Sequence, residues 1–275
     1  VVLGLGGIGW LMWPVEPPRV LLAAYDAVAA PDELIKLYAR LEPESRERTP
    51  KLDGLEVWFQ VQATLRSETL ATDSRGDAAI DWQAPKSDAR PLEFMARHRQ
   101  VEDPKKVASD HGRIFVWPAK AKLLVVDVDY ALVESSESFA DGGSTAPTLR
   151  SGAAAALQIL ASRFKIVYIS AVVNEPSRYK RMRNWITQAR LPEGPLLGPS
   201  VSVDAGDRDA FKISQIEALK KRFTEPAVGI AARDEEVQLF VGAGWKTVVI
   251  GDATRLPADV TRIVTWAELP KQLEW

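Results

Sequence analysis

The sequence predicts a two-domain protein, an all-β sandwich followed by an α/β domain built on a parallel sheet. Three observations predict it. Residues 19 to 117 carry short apolar stretches of period two, and from Ala121 onward apolar strand runs alternate with helical stretches. The pattern changes across Pro118 to Lys120. These divisions give an apolar segment over 1–16, a sandwich over 17–118 and an α/β domain over 119–275. A chain of 275 residues is long enough for two ordinary domains.

The first fifteen residues, VVLGLGGIGWLMWPV, carry no charge. They are fewer than the roughly 20 residues a membrane-spanning helix needs. Four glycines and two tryptophans also suit a sheet strand poorly. The segment therefore reads as the tail of a signal peptide or membrane anchor. That reading makes the protein membrane-anchored or resident in the cell envelope, with a cytoplasmic location as the alternative.

Strands come next. In ELIKLYARLE, Ile35, Leu37, Ala39 and Leu41 alternate with polar or bulkier positions, and in LEVWFQVQ so do Val57, Phe59 and Val61. ATDSRGDAAIDW places the turn residues Asp73, Ser74 and Gly76 between two strand candidates, and PLEFMAR and RIFVWP supply two more. Such short strands without a long helix between them indicate an antiparallel sandwich. Trp58 and Trp82 read either as an exposed aromatic binding face or as sandwich packing. His98 and His111 are expected at the surface.

After Ala121 the order is LLVVDVD, SGAAAALQILASR, KIVYIS, PSRYKRMRNWITQAR, PLLG, AFKISQIEALKKRF, AVGIA, EEVQLFVGAG and KTVVIG. Strand and helix alternate, as in a parallel sheet covered on both faces. Over 178–190, Tyr179, Met182, Ile186 and Ala189 fall on one helical stripe.

Composition excludes some functions. The chain has 35 basic and 37 acidic residues, a formal charge of −2, so no global field points to nucleic acid. There is no cysteine, hence no disulfide and no thiolate nucleophile or metal ligand. With two histidines outside the α/β half and no G-x-S-x-G elbow, the sequence does not point to a catalytic triad. GLGGIG lacks the preceding strand and following acid of a dinucleotide loop.

Ligands of doubly wound sheets sit at the carboxyl ends of strands. Asp127 and Asp129 end the first α/β strand, Ser170 ends the second, and Lys212 lies near the start of a helix. The acidic run Asp234, Glu235 and Glu236 follows AVGIA. Two carboxylates, a hydroxyl, an ammonium and a further acid suit phosphoryl transfer to a carboxylate. One acid attacks phosphorus, the other protonates the leaving oxygen, and cationic groups neutralise the phosphoryl oxygens.

Taken in order, LLVVDVDYAL, KIVYIS, Lys212 and VGIAARDEEVQLFVGAG resemble the four motifs of the haloacid dehalogenase (HAD) superfamily of phosphatases. The resemblance covers about 155 residues and implies a Rossmann-like fold. It further implies Asp127 as nucleophile, Asp129 as general acid and base, Ser170 and Lys212 as phosphate-binding residues, and Mg²⁺ as cofactor. Asp127 and the backbone carbonyl of Asp129 would be metal ligands. In the fourth motif Ala232 falls where the family has a metal-binding aspartate, leaving Glu236 or Asp234 as the candidate replacements. Tyr130 and Ala131 stand where Gly and Thr are usual.

The spacings from Asp127 to Ser170 and from Ser170 to Lys212 leave no room for a cap domain, so an open site is expected. That suits a phosphate on a lipid headgroup or macromolecule, with 134–147 as a flap. The stretch 169–198 is similar to lipin-type phosphatidate phosphatases, which implies a membrane-surface role for Arg178, Lys180, Arg181, Arg183 and Arg190; the other reading of these is a solvated helix face. The stretches 26–42, 54–59 and 72–78 resemble bacterial immunoglobulin-like domains. Two functions follow: a Mg²⁺-dependent phosphomonoester hydrolase working through an aspartyl-phosphate, or a catalytically impaired module that binds phosphorylated ligands or anionic lipid.

Overall fold

The computed structural model describes residues 19–44, 50–61, 66–86, 90–99, 106–134, 147–200, 207–251 and 253–274. The expected anchor over 1–16, and nearly all of the expected flap, lie outside them. Among the described residues no helix is long and apolar enough to cross a membrane.

Eight strands form the N-terminal part: β1 Val20–Ala24, β2 Ala27–Ala29, β3 Leu34–Pro43, β4 Glu56–Val61, β5 Arg66–Ala71, β6 Asp77–Gln83, β7 Leu92–Arg99 and β8 Val107–Val116. They make two sheets, ordered β1-β3-β6 and β2-β8-β7-β4-β5. All pairings are antiparallel except β2 with β8. Period-two alternation turns Leu37, Ala39 and Leu41 of one sheet toward Val57, Phe59 and Val61 of the other, in one shared core. Trp82 belongs to that core at 2% exposure, so of its two readings packing is the one observed. The expectation for His98 is corrected: it is buried, with Nδ1 2.8 Å from the carbonyl of Glu56, because its position in β7 points inward.

The C-terminal part carries a six-stranded, wholly parallel sheet of β9 Leu123–Asp127, β10 Lys165–Ile169, β11 Leu196–Leu197, β12 Val228–Ala231, β13 Lys246–Ile250 and β14 Thr261–Ile263. Its order is β11-β10-β9-β12-β13-β14. On one face Leu124, Val126, Ile166 and Ile230 pack against α1 Ala153–Leu160, α2 Pro176–Gln188 and the short α5 Leu269–Gln272. On the other, Leu123, Val125, Val167 and Val249 pack against α3 Arg208–Arg222 and α4 Asp234–Gly242. Burial on both faces is why these strands read as unbroken apolar runs.

The two parts meet along α2 and β1. The rings of Tyr25 and Tyr179 lie 4.3 Å apart. Buried Asp26 accepts from the Arg113 guanidinium at 2.6 Å and from the Leu196 amide at 3.1 Å. Arg183 donates to both oxygens of Asp110, at 2.7 and 2.8 Å, and to the carbonyls of Ala24 and His111. Lys180 donates to the Leu22 carbonyl. Two of the basic residues of α2 thus face the β part, where they neutralise its acids and cap its carbonyls.

Candidate active site

Strand order reverses between β9 and β12, and the crevice at such a switch point opens at the carboxyl ends of those strands. β9 ends at Asp127 and continues into a π-helical turn, Val128–Leu132. That turn aims the Tyr130 amide back at Asp127 Oδ1, 3.1 Å away, and buries Asp129 beside it. Ser170 follows β10, Lys212 lies in the first half of α3, and Glu236 lies in the first turn of α4.

These five side chains are each at most 4% exposed and converge on one point. The Lys212 ammonium is its centre. It binds Asp127 Oδ2 and lies 3.3 Å from Asp129 Oδ2 and 3.5 Å from Glu236 Oε1. Asp129 accepts from the Ser170 hydroxyl at 2.5 Å and from the Ala171 amide at 2.9 Å. Glu236 takes the Arg233 guanidinium through two bonds, Nη2 to Oε1 at 2.6 Å and Nε to Oε2 at 3.2 Å. Arg233 in turn lies 3.4 Å from the centre of the Tyr130 ring. Every oxygen of the three carboxylates therefore already accepts a hydrogen bond from the protein.

Burial pushes the Asp127 carboxyl up to about 7, with Asp129 and Glu236 adding to the rise against the opposing pull of Lys212. Burial disfavours the Lys212 charge, yet its three carboxylate neighbours outweigh that and hold the ammonium above its ordinary value. Burial likewise opposes the Arg233 charge, and the bond to Glu236 more than restores it.

Asp234 is used elsewhere. Its exposed carboxylate accepts from the amides of Thr254 and Arg255 and from the Thr254 hydroxyl, and these bonds, the Arg255 amide first, lower its titration. Ala232 is buried, with its methyl close to Gly251, and presents no oxygen. Arg233 and the Ala171 amide were not marked by the sequence reasoning. The first had a legible signal: a cation three residues before Glu236 at a helix start is placed to pair with it.

Whether this set fits Mg²⁺ is decided by its donors. Magnesium needs near-octahedral oxygen coordination at about 2.0–2.1 Å. Here the three carboxylates are spread around an ammonium, and among the described residues no group of three or more His, Cys, Asp or Glu side chains is placed to hold a metal ion. An incoming divalent ion would meet Lys212 and Arg233 as like charges. The residues do not fit the metal that the resemblance implies.

No family model matches this sequence, and no curated protein matches it. Among solved structures, it is similar to the D,D-heptose 1,7-bisphosphate phosphatase of B. bronchiseptica, complexed with magnesium and phosphate. The identity is 13%, over 55% of this chain and 97% of that one, with a TM-score of 0.42. Protein Tyrosine Kinase A of Mycobacterium tuberculosis gives 15%, 57%, 99% and 0.43 in the same order. An L-2-haloacid dehalogenase gives 12%, 56%, 98% and 0.40. At TM-scores below 0.5 these likenesses carry no argument about chemistry.

Proposed function

We propose that this chain is a phosphatase-like module of the HAD type that does not turn over metal-assisted phosphoryl transfer, joined to an immunoglobulin-like domain. The domains would be 17–118 and 119–275. The ordered set Asp127, Asp129, Ser170 and Lys212 supports the phosphatase-like part. One observation carries the loss of turnover: all six oxygens of Asp127, Asp129 and Glu236 are engaged by protein donors. A carboxylate that attacks phosphorus needs an oxygen open to the incoming group and a cation shared with the phosphoryl oxygens. Asp127 is fully buried, with Oδ1 taken by the Tyr130 amide and Oδ2 by Lys212, so neither oxygen is open to an incoming group.

In this reading the α/β part is a scaffold. Its α2 holds the β part through Asp26, Asp110 and Tyr179, so the two parts present a fixed joint surface to whatever the protein meets. The test is phosphate release from para-nitrophenyl phosphate and phosphatidate with Mg²⁺, beside an Asp127→Asn control. Equal, background-level release from both proteins is expected.

A second reading is a hydrolase acting on a phosphate of a lipid headgroup or macromolecule. It is favoured by the preserved grouping of Asp127 and Asp129 around Lys212 at the end of β9. Release by the wild type that Asp127→Asn abolishes would establish it and overturn the first.

A further inference from the structure

We infer that Arg233 is the resident counter-ion of the carboxylate cluster, a protein cation in the role for which the HAD resemblance implies a divalent one. The inference rests on the phosphatase-like reading above and names the residue responsible for its departure from turnover.

When all three are ionised, the buried carboxylates carry three negative charges, and Lys212 supplies one positive charge among them. Left so, two charges would remain uncompensated in a site from which water is excluded, and such burial is strongly unfavourable. Arg233 supplies the second cation. It holds Glu236 through two nitrogens, the geometry in which charge-assisted bonds are strongest. A guanidinium does not deprotonate in proteins, so this counter-charge is permanent and independent of the cations in solution.

Two neighbours fix Arg233 in place. The Tyr130 ring lies against it at 3.4 Å and is 5.8 Å from the Lys212 ammonium, so one ring is within cation–π distance of both cations. Ala232 leaves a methyl, not a carboxylate, at the end of β12, so no oxygen there competes for the guanidinium. Tyr130, Ala232 and Arg233 act in one direction: together they give a site neutralised from within in place of one that recruits a metal.

The experiment is Mn²⁺ titration of the full chain, followed by electron paramagnetic resonance and calorimetry. The proteins are wild type, Asp127→Asn, Arg233→Ala, Arg233→Lys and Arg233→Ala/Asp127→Asn, with near-ultraviolet circular dichroism as the folding control. Wild type and Arg233→Lys are expected to show no saturable Mn²⁺ site. Arg233→Ala, which frees Glu236 and leaves the cluster more negative, is expected to gain one that binds at least about tenfold tighter than anything in wild type. The double variant should lose it. Saturable binding by wild type that Asp127→Asn removes would overturn the inference. So would a folded Arg233→Ala that binds no better than wild type, and Arg233→Gln takes its place if the alanine variant does not fold. Neither result depends on phosphate release, so this inference and the reading it rests on fail separately.

Discussion

The Arg233 guanidinium approaches the centre of the Tyr130 ring to 3.4 Å while keeping both bonds to Glu236. A residue with a small or flexible side chain at 130 would leave that guanidinium free to swing into solvent. Tyr130→Ala is therefore expected to cost about 1 kcal/mol in urea unfolding, the typical worth of a cation–π contact of intermediate exposure. Tyr130→Phe, which keeps the aromatic face, should stay within about 0.5 kcal/mol of wild type. Equal losses in the two variants would show that the hydroxyl, not the ring, matters.

Asp127 gives the molecule a pH dependence whose sign is fixed by its environment. Its folded-state carboxyl titrates at about 7, above the ordinary carboxylate value of about 3.9. The folded protein therefore binds this proton more tightly than the unfolded chain. The associated stability is fully present below about pH 4 and is lost as pH rises to about 7. Asp127→Asn removes that term. Its stability relative to wild type should rise through this window by up to about 1.4 kcal/mol per pH unit. Urea unfolding of both proteins at several pH values measures the difference, and a flat difference would place the titrating proton on another group.

The joint between the two parts rests on a buried pair. Arg183 is the main partner of Asp110, which also accepts from the Ala24 amide at 2.9 Å and lies 4.0 Å from Lys180. Arg183→Ala leaves the buried carboxylate with only the more distant Lys180 as counter-charge and should cost up to about 3–5 kcal/mol. Asp110→Asn with Arg183→Leu removes both charges and should recover part of that loss. Equilibrium unfolding of wild type and the two variants, followed by tryptophan fluorescence, checks the order.

Much of the α/β architecture was legible because its signals are local. A strand buried on both faces must be apolar throughout, which made Leu123–Val126 and Val228–Ala231 readable, and Tyr179, Met182 and Ile186 marked α2 by their spacing. Strand β14, Thr261–Ile263, was not marked, since three residues with one buried side chain make no pattern. The meeting of Asp127, Asp129, Ser170 and Lys212 was expected from their order along strand ends. The inward turn of Arg183 and Lys180 was not, because a basic helix face looks the same in sequence whether it meets solvent, a membrane or a neighbouring β-sheet. His98 was misplaced for a related reason. Polarity suggested the surface, but the alternation of β7 decided otherwise.

The position of Glu236 depends on a residue with no side chain. A methyl group added at Gly229, in the middle of β12, would lie 2.3 to 2.6 Å from three ring carbons of Phe240. Phe240 is on α4, the helix that carries Glu236 in its first turn and follows directly on Arg233. The glycine thus sets how closely α4 approaches the sheet, and with it how deeply Glu236 reaches toward Lys212. Gly229→Ala should force α4 outward and cost about 1–3 kcal/mol, the usual range for overpacking. Because the same movement pulls Glu236 from a contact that is already 3.5 Å long, the variant should also weaken the coupling between Glu236 and Lys212. A double-mutant cycle of Lys212→Met and Glu236→Gln, run in the wild-type and Gly229→Ala backgrounds, measures it. A smaller coupling energy in the alanine background is the expected result, and an unchanged one would mean that Phe240 alone yields while α4 stays in place.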